Sequence, residues 1–195
     1  MTMSLKKLFE KGYDKQSQNL YLEAIEEYNK VLKIDEKFER AYVQRAYCKA
    51  QLRDYLSAIE DYKIALSINP DDAITYLNLG VANYYSGDKN NTLYFDKAIE
   101  MEPKNMAEAY FMKGLVLINN DLYSEAINEL SKAIEIKSDW SAFYFSRATC
   151  YSNINEFQKA IDDYTRAGQL DFSRSEIDEN IAYCKEEMKK LLAVK

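Results

Sequence analysis

One short segment recurs along this chain. YLEAIEEYNKVLKID (21–35) returns as YLSAIEDYKIALSIN (55–69), as YSEAINELSKAIEIK (123–137) and as FQKAIDDYTRAGQLD (157–171). Starts 21 and 55 differ by 34, as do 123 and 157, and the step from 55 to 123 is twice that interval. The interval demands a further copy, and NTLYFDKAIEMEP (91–103) supplies it, one residue short in the preceding turn, with Met106 restoring the period. The frame 5–38, 39–72, 73–106, 107–140 and 141–174 covers 170 of the 195 residues. Residues 1–4 are left as an N-terminal extension and 175–195 as a further segment. A period of this length, with only two prolines and five glycines, predicts helical hairpins joined by short turns.

Residue size follows the frame. Eighth positions are Gly12, Ala46, Gly80, Gly114 and Ala148; twentieth positions are Ala24, Ala58, Asn91, Ala126 and Ala160; twenty-seventh positions are Val31, Ala65, Ala98, Ala133 and Ala167. Large residues hold the fourth position, from Leu8 to Tyr144, and Tyr28, Tyr62, Phe95 and Tyr164 hold the twenty-fourth. Pro70 and Pro103 fall between repeats, where proline stops the preceding helix. This pattern resembles the tetratricopeptide repeat. The resemblance implies an all-α, right-handed superhelical solenoid of five helix-turn-helix repeats, in which small residues let helix axes approach and aromatics fill the wider gaps.

The ends and one inner repeat depart from the pattern. Lys7, Lys11, Asp14 and Lys15 stand where inner repeats would meet a preceding neighbour, the polar face expected of a solenoid end. In 175–195, Ser173 and Glu176 read as a capping box, and Ile177, Ile181, Cys184, Met188 and Leu191 follow at helical spacing. This predicts a capping helix; pairing of two chains through its stripe is the alternative. With both ends capped, the expectation is a self-contained domain. The third repeat carries Asn91 in place of alanine and lacks the aromatic at position 17, so it is expected to be the soft joint of the array.

Composition excludes several kinds of chemistry. There is no histidine, which removes the usual neutral-pH general base and the commonest metal ligand. Cys48, Cys150 and Cys184 are far apart and form no CxxC pair, so they point to a reducing, cytoplasmic setting rather than a zinc or redox site. No phosphate-cradling glycine loop is present, and carboxylates lie among lysines on helix faces. The expectation is a non-enzyme without metal or cofactor. A net charge of −6 argues against nucleic acid, and no run of about 18 apolar residues argues for membrane insertion.

What the resemblance implies for function is a protein-interaction scaffold that takes a peptide or helix of a partner in its concave groove. Family groove positions carry over to Phe9, Tyr13, Arg40, Val43, Tyr47, Leu77, Val81, Tyr84, Phe111, Leu115, Ile118 and Phe145. Of the groove positions as a whole, only Lys6, Arg40 and Glu108 are charged, so the expected surface is apolar and aromatic. Position five also reads as partly core. Trp140, the one tryptophan, reads either as a binding anchor or as a wedge between repeats. The family's clamp for a chaperone C-terminal tail needs lysines, an arginine and asparagines where Phe9, Tyr13, Gln44, Ile74 and Asn78 stand, which argues against that partner. Self-association through the groove or the last helix is the alternative function.

Overall fold

The structure is a computed structural model and describes residues 4–193. The described residues form eleven α-helices and no strands. They run α1 (Leu5–Ser17), α2 (Tyr21–Ile34), α3 (Glu39–Gln51), α4 (Tyr55–Ile68), α5 (Ala73–Ser86), α6 (Leu93–Met101), α7 (Ala107–Asn119), α8 (Tyr123–Ile136), α9 (Ser141–Asn153), α10 (Phe157–Gln169) and α11 (Arg174–Ala193). None of them is long and apolar enough to cross a membrane. The chain divides into two compact units, the first ending at Met101 and the second beginning at Glu102.

Each hairpin turns the same way. The residue after the first helix's last turn takes a left-handed backbone at Asn19, Arg53, Gly87, Asp121 and Asn155, every 34 residues, with φ of 59°, 63°, 118°, 58° and 62°. The next amide reaches back to the helix: Leu20 N donates to Lys15 O (2.9 Å), Asp54 to Lys49 (2.9 Å), Asp88 to Asn83 (3.1 Å), Leu122 to Leu117 (3.0 Å) and Glu156 to Tyr151 (2.9 Å). This is the Schellman ending, which satisfies carbonyls that the helix leaves without partners. Gly87 adopts its φ without strain, whereas the other four residues carry a Cβ there.

Small residues let the hairpins close. Ala24, Ala58, Ala126 and Ala160 are fully buried, as are Ala46 and Ala148 across from them. A Cβ on Gly12, Gly80 or Gly114 would lie 2.6 Å from Tyr28, 2.7 Å from Phe95 or 2.8 Å from Leu130, so these helices approach closer than alanine permits. In the first unit one core gathers Leu8, Tyr28, Val31 and Cys48, and a second gathers Ala58, Tyr62, Leu79 and Ala82. In the second unit one core joins Tyr144, Phe157, Tyr164, Ile177 and Cys184.

The sequence pattern does not announce a buried ion pair inside the hairpins. Position 7 holds a cation and position 23 a carboxylate: Lys11–Glu27 (2.7 Å), Arg45–Asp61 (2.7 Å), Lys113–Glu129 (3.8 Å) and Arg147–Asp163 (2.7 Å). Both arginines are bidentate, and each sends its remaining nitrogen to the preceding repeat: Arg45 Nη1 donates to Asn29 Oδ1 (2.6 Å) and Arg147 Nη1 to Ser131 Oγ (3.0 Å). Lys11 and Lys15 therefore turn toward Glu27 and Glu23 of α2 rather than outward as solenoid-end polarity suggested. At Glu27, burial pushes the carboxyl up, but Lys11 and Lys30 outweigh it and hold it below the usual range.

The third hairpin differs in two ways. Leu79 and Tyr94 replace the ion pair, with Leu79 buried and Tyr94 packed against the same core. Its second helix, α6, has 9 residues where α2, α4 and α8 have 14. Asn91 is exposed and lies before the helix; its Oδ1 accepts from Leu93 N (3.0 Å). An amide cannot enter the tight contact that alanine makes, so the first turn of the helix is replaced by an asparagine turn.

Helix α11 packs on α10 through Ile177, Ile181, Cys184 and Met188, following the expected stripe, while Leu191 is exposed. The helix starts one residue after Ser173, whose carbonyl accepts from Ile177 N (3.1 Å). Asp178 and Lys185 are exposed on the face away from α10, together with Tyr183 at 55% exposure.

Candidate binding surfaces

In the first unit the expected groove residues come from α1, α3 and α5. Phe9 is buried at 8% exposure, with its ring against Tyr28 (5.7 Å between centroids) and Phe38 (5.2 Å). The Arg40 guanidinium lies 4.9 Å over the same ring. Tyr13 is 53% exposed and Tyr47 is also exposed, whereas Val43, Val81 and Tyr84 are half-buried and Leu77 is buried. Tyr85 stacks on Tyr55 (5.7 Å) and meets Tyr84 edge-on (5.4 Å). A depression of about 550 Å³ is bounded by Leu5, Phe9, Tyr13, Phe38 and Arg40, with Lys6, Glu10 and Asp14 at its edge. It brings together three of the twelve expected residues, Phe9, Tyr13 and Arg40.

In the second unit Phe111, Leu115, Ile118 and Phe145 are all half-buried. Phe111 packs on Phe143 (4.9 Å), and Phe145 stacks on Phe172 (4.2 Å) with Tyr164 edge-on (5.3 Å). At Phe9, Phe111 and Phe145 position five thus leans toward core, because each ring packs on other aromatic rings. Trp140 precedes α9. Its ring packs on Phe143 (5.1 Å) under the Lys137 ammonium (4.2 Å) and is still 38% exposed.

Burial pushes the Cys48 and Cys150 thiols up to about 12, so neither is a thiolate at neutral pH. Among the described residues no group of three His, Cys, Asp or Glu side chains is arranged to hold a metal ion. Of the residues standing at the chaperone-clamp positions, Gln44 is engaged internally, accepting from Gln16 Nε2 (2.8 Å).

Models of the TPR repeat and the tetratricopeptide repeat match residues 49–87 and 94–128, within the hairpins just described. The hairpins of those two stretches are tetratricopeptide repeats. Among curated proteins of Dictyostelium discoideum, the chain is 29% identical to "DnaJ homolog subfamily C member 7 homolog" over 116 residues, 56% of this chain and 22% of that one. It is 32% identical to "Protein STIP1 homolog" over 96 residues, 49% of this chain and 17% of that one. It therefore spans less than a quarter of either relative's length. Among solved structures it resembles the MamA protein, with a TM-score of 0.76 and 24% identity over 85% of this chain and 91% of that one. It also resembles YrrB, described as a TPR protein with an unusual peptide-binding site, with a TM-score of 0.73 and 18% identity over 92% and 90% of the two chains. At such identities the likeness shows the repeat fold, which is all-α and solenoid-forming.

Proposed function

We propose that this chain is a scaffold that holds a peptide or helix of another protein against the first helices of its repeats. The observation that carries the reading lies on α1 and α3: Tyr13 and Tyr47 stay exposed, while Phe9, one turn before Tyr13, is buried. Exposed tyrosines on rigid helices offer apolar area and a hydroxyl at little cost in ordering entropy. The second unit adds Leu115 and Ile118, half-buried on α7. Catalysis has no support in the arrangement of titratable groups, and three separate buried thiols suit a reducing, cytoplasmic setting. The substitutions at clamp positions favour a partner other than a chaperone C-terminal tail.

Crosslinking and capture of partners by wild type beside Tyr13→Ala/Tyr47→Ala tests the reading. Partners lost in the variant, with unchanged circular dichroism, support it; identical partner sets sink it. Phe111 is a poor choice for such a test, since its ring is part of the α7–α9 packing.

Self-association is the second reading, favoured by one observation. Leu191 and Leu192 are 52% and 70% exposed and border a depression of about 560 Å³ with Phe157 and Met188. Sedimentation of wild type and Leu191→Glu/Leu192→Glu over a concentration series decides it: a monomeric wild type removes this reading.

A further inference from the structure

We infer that the depression on α1 and α3 selects a peptide segment in which a large apolar side chain is closely followed or preceded by a carboxylate. This deepens the scaffold reading and rests on it. The floor is apolar, made by Leu5, Phe9, Tyr13 and Phe38, and its volume of about 550 Å³ accepts one large side chain with room for flanking backbone. The charge at its edges is not symmetric.

On the α3 side stands Arg40. Its guanidinium is exposed, lies over Phe9, and has no carboxylate within salt-bridge distance among the described residues. Arg45 on the same helix, by contrast, is committed to Asp61 and Asn29. Arg40 also sits in the first turn of α3, a 13-residue helix whose N-cap, Phe38, supplies no side-chain hydrogen bond. The helix start adds some positive potential next to the guanidinium, offset in part by Glu39 in the same turn. Glu39 is the opposing group nearby: burial and Asp72 push its carboxyl up, the Arg40 charge pulls it the other way, and no Glu39–Arg40 pair lies within salt-bridge distance.

On the outer side of α1 the charges are different. Glu10 and Asp14 follow Lys6 at helical spacing, and the Lys6–Glu10 contact is a highly exposed one at 3.8 Å. Such a pair contributes little and leaves that edge net acidic. A bound segment therefore gains by placing its acid toward α3 and is disfavoured with the acid toward α1. A guanidinium already held over an aromatic ring can donate to a carboxylate with little loss of freedom.

The test is panning of a phage-displayed random dodecapeptide library on the full chain, with Arg40→Gln and Tyr47→Ala as parallel baits. Tyr47 lies outside the depression. The expected result is enrichment of sequences with a large apolar residue within two positions of Asp or Glu. A fluorescent copy of the best peptide should bind wild type about tenfold more tightly than Arg40→Gln, the loss of one charge-assisted contact. Changing the peptide's acid to its amide should cost the same on wild type and almost nothing on Arg40→Gln. Enriched peptides without an acid, or equal binding to wild type and Arg40→Gln, overturn the inference. If binding then depends on Tyr47, the scaffold reading survives it; if no peptide is enriched, both fall.

Discussion

Replacing Arg147 with leucine should cost more stability than the same change at Arg45, although the two arginines hold equivalent places in their hairpins. Both are bidentate to a carboxylate on the second helix. The difference is what remains. Asp61 keeps a second cation, Lys49, at 2.7 Å. In the fifth hairpin the corresponding residue is Tyr151, and Asp163, 11% exposed at its side chain, has Arg147 as its cation within ion-pair distance among the described residues. Arg147→Leu therefore strands a buried carboxylate, at a cost of about 3–5 kcal/mol. Arg45→Leu loses charge-assisted hydrogen bonds but leaves Asp61 compensated, at about 1.5–3 kcal/mol. Adding Asp163→Leu to Arg147→Leu should recover most of the loss, because an apolar pair already serves in the third hairpin as Leu79 and Tyr94. Urea unfolding followed by circular dichroism gives the three values by linear extrapolation, with m-values compared to check that the unfolding unit is unchanged. Equal losses at Arg45 and Arg147, or a double variant no better than Arg147→Leu, would show that the carboxylate is not the source of the cost.

Three further outcomes follow from the same structure. Arg53→Gly relieves a left-handed backbone at φ 63° and should stabilise the chain by about 0.5–1 kcal/mol in the same urea assay, whereas Gly87→Ala should destabilise it by at least as much. Amides of α6 should exchange hydrogen faster than those of α4, since α6 is a turn shorter and starts from an exposed asparagine; equal protection of the two helices contradicts this. Raising the pH should unfold the chain between an ordinary thiol value of 9.0 and about 12. The thiols of Cys48 and Cys150 ionise more readily unfolded than folded, so their contribution is intact below that window and is lost as pH rises through it. Cys48→Ala/Cys150→Ala should flatten the alkaline limb of a pH–stability curve; an unchanged limb assigns it to the buried tyrosines instead.

Much of this architecture was legible in the sequence because the pattern of small residues is itself the packing. Ala24, Ala58, Ala126 and Ala160 mark fully buried helix contacts, and the one departure, Asn91, marks the one hairpin whose second helix is cut short. What remained hidden obeys charge rather than size. The ion pairs alternate Lys–Glu with Arg–Asp and vanish at Leu79 and Tyr94, so no single residue type marks the position in every copy; only opposite charges 16 residues apart, as at 11 and 27, 45 and 61, 113 and 129, and 147 and 163, would have shown them. The left-handed turn positions were masked in the same way by Arg53, since asparagine, aspartate and glycine at the other four are the usual occupants. Position five could not be resolved from sequence at all. Phe9 and Phe145 are apolar whether they face a ligand or a neighbour, and only the rings of Phe38 and Phe172 decide that they lean inward.

The separation of roles along α3 links stability to recognition. The hairpin interior consumes the charge on Arg45 and Lys49, both tied to Asp61, and so removes those cations from the exposed face. What α3 leaves exposed is Arg40, Tyr47 and Gln51, with Val43 half-buried. The electrostatic character of the face is therefore set by residues that packing does not use. Substitutions at Arg45 should register in unfolding free energy and those at Arg40 in binding, and a variant that moved both together would mean that the hairpin and its surface are not independent.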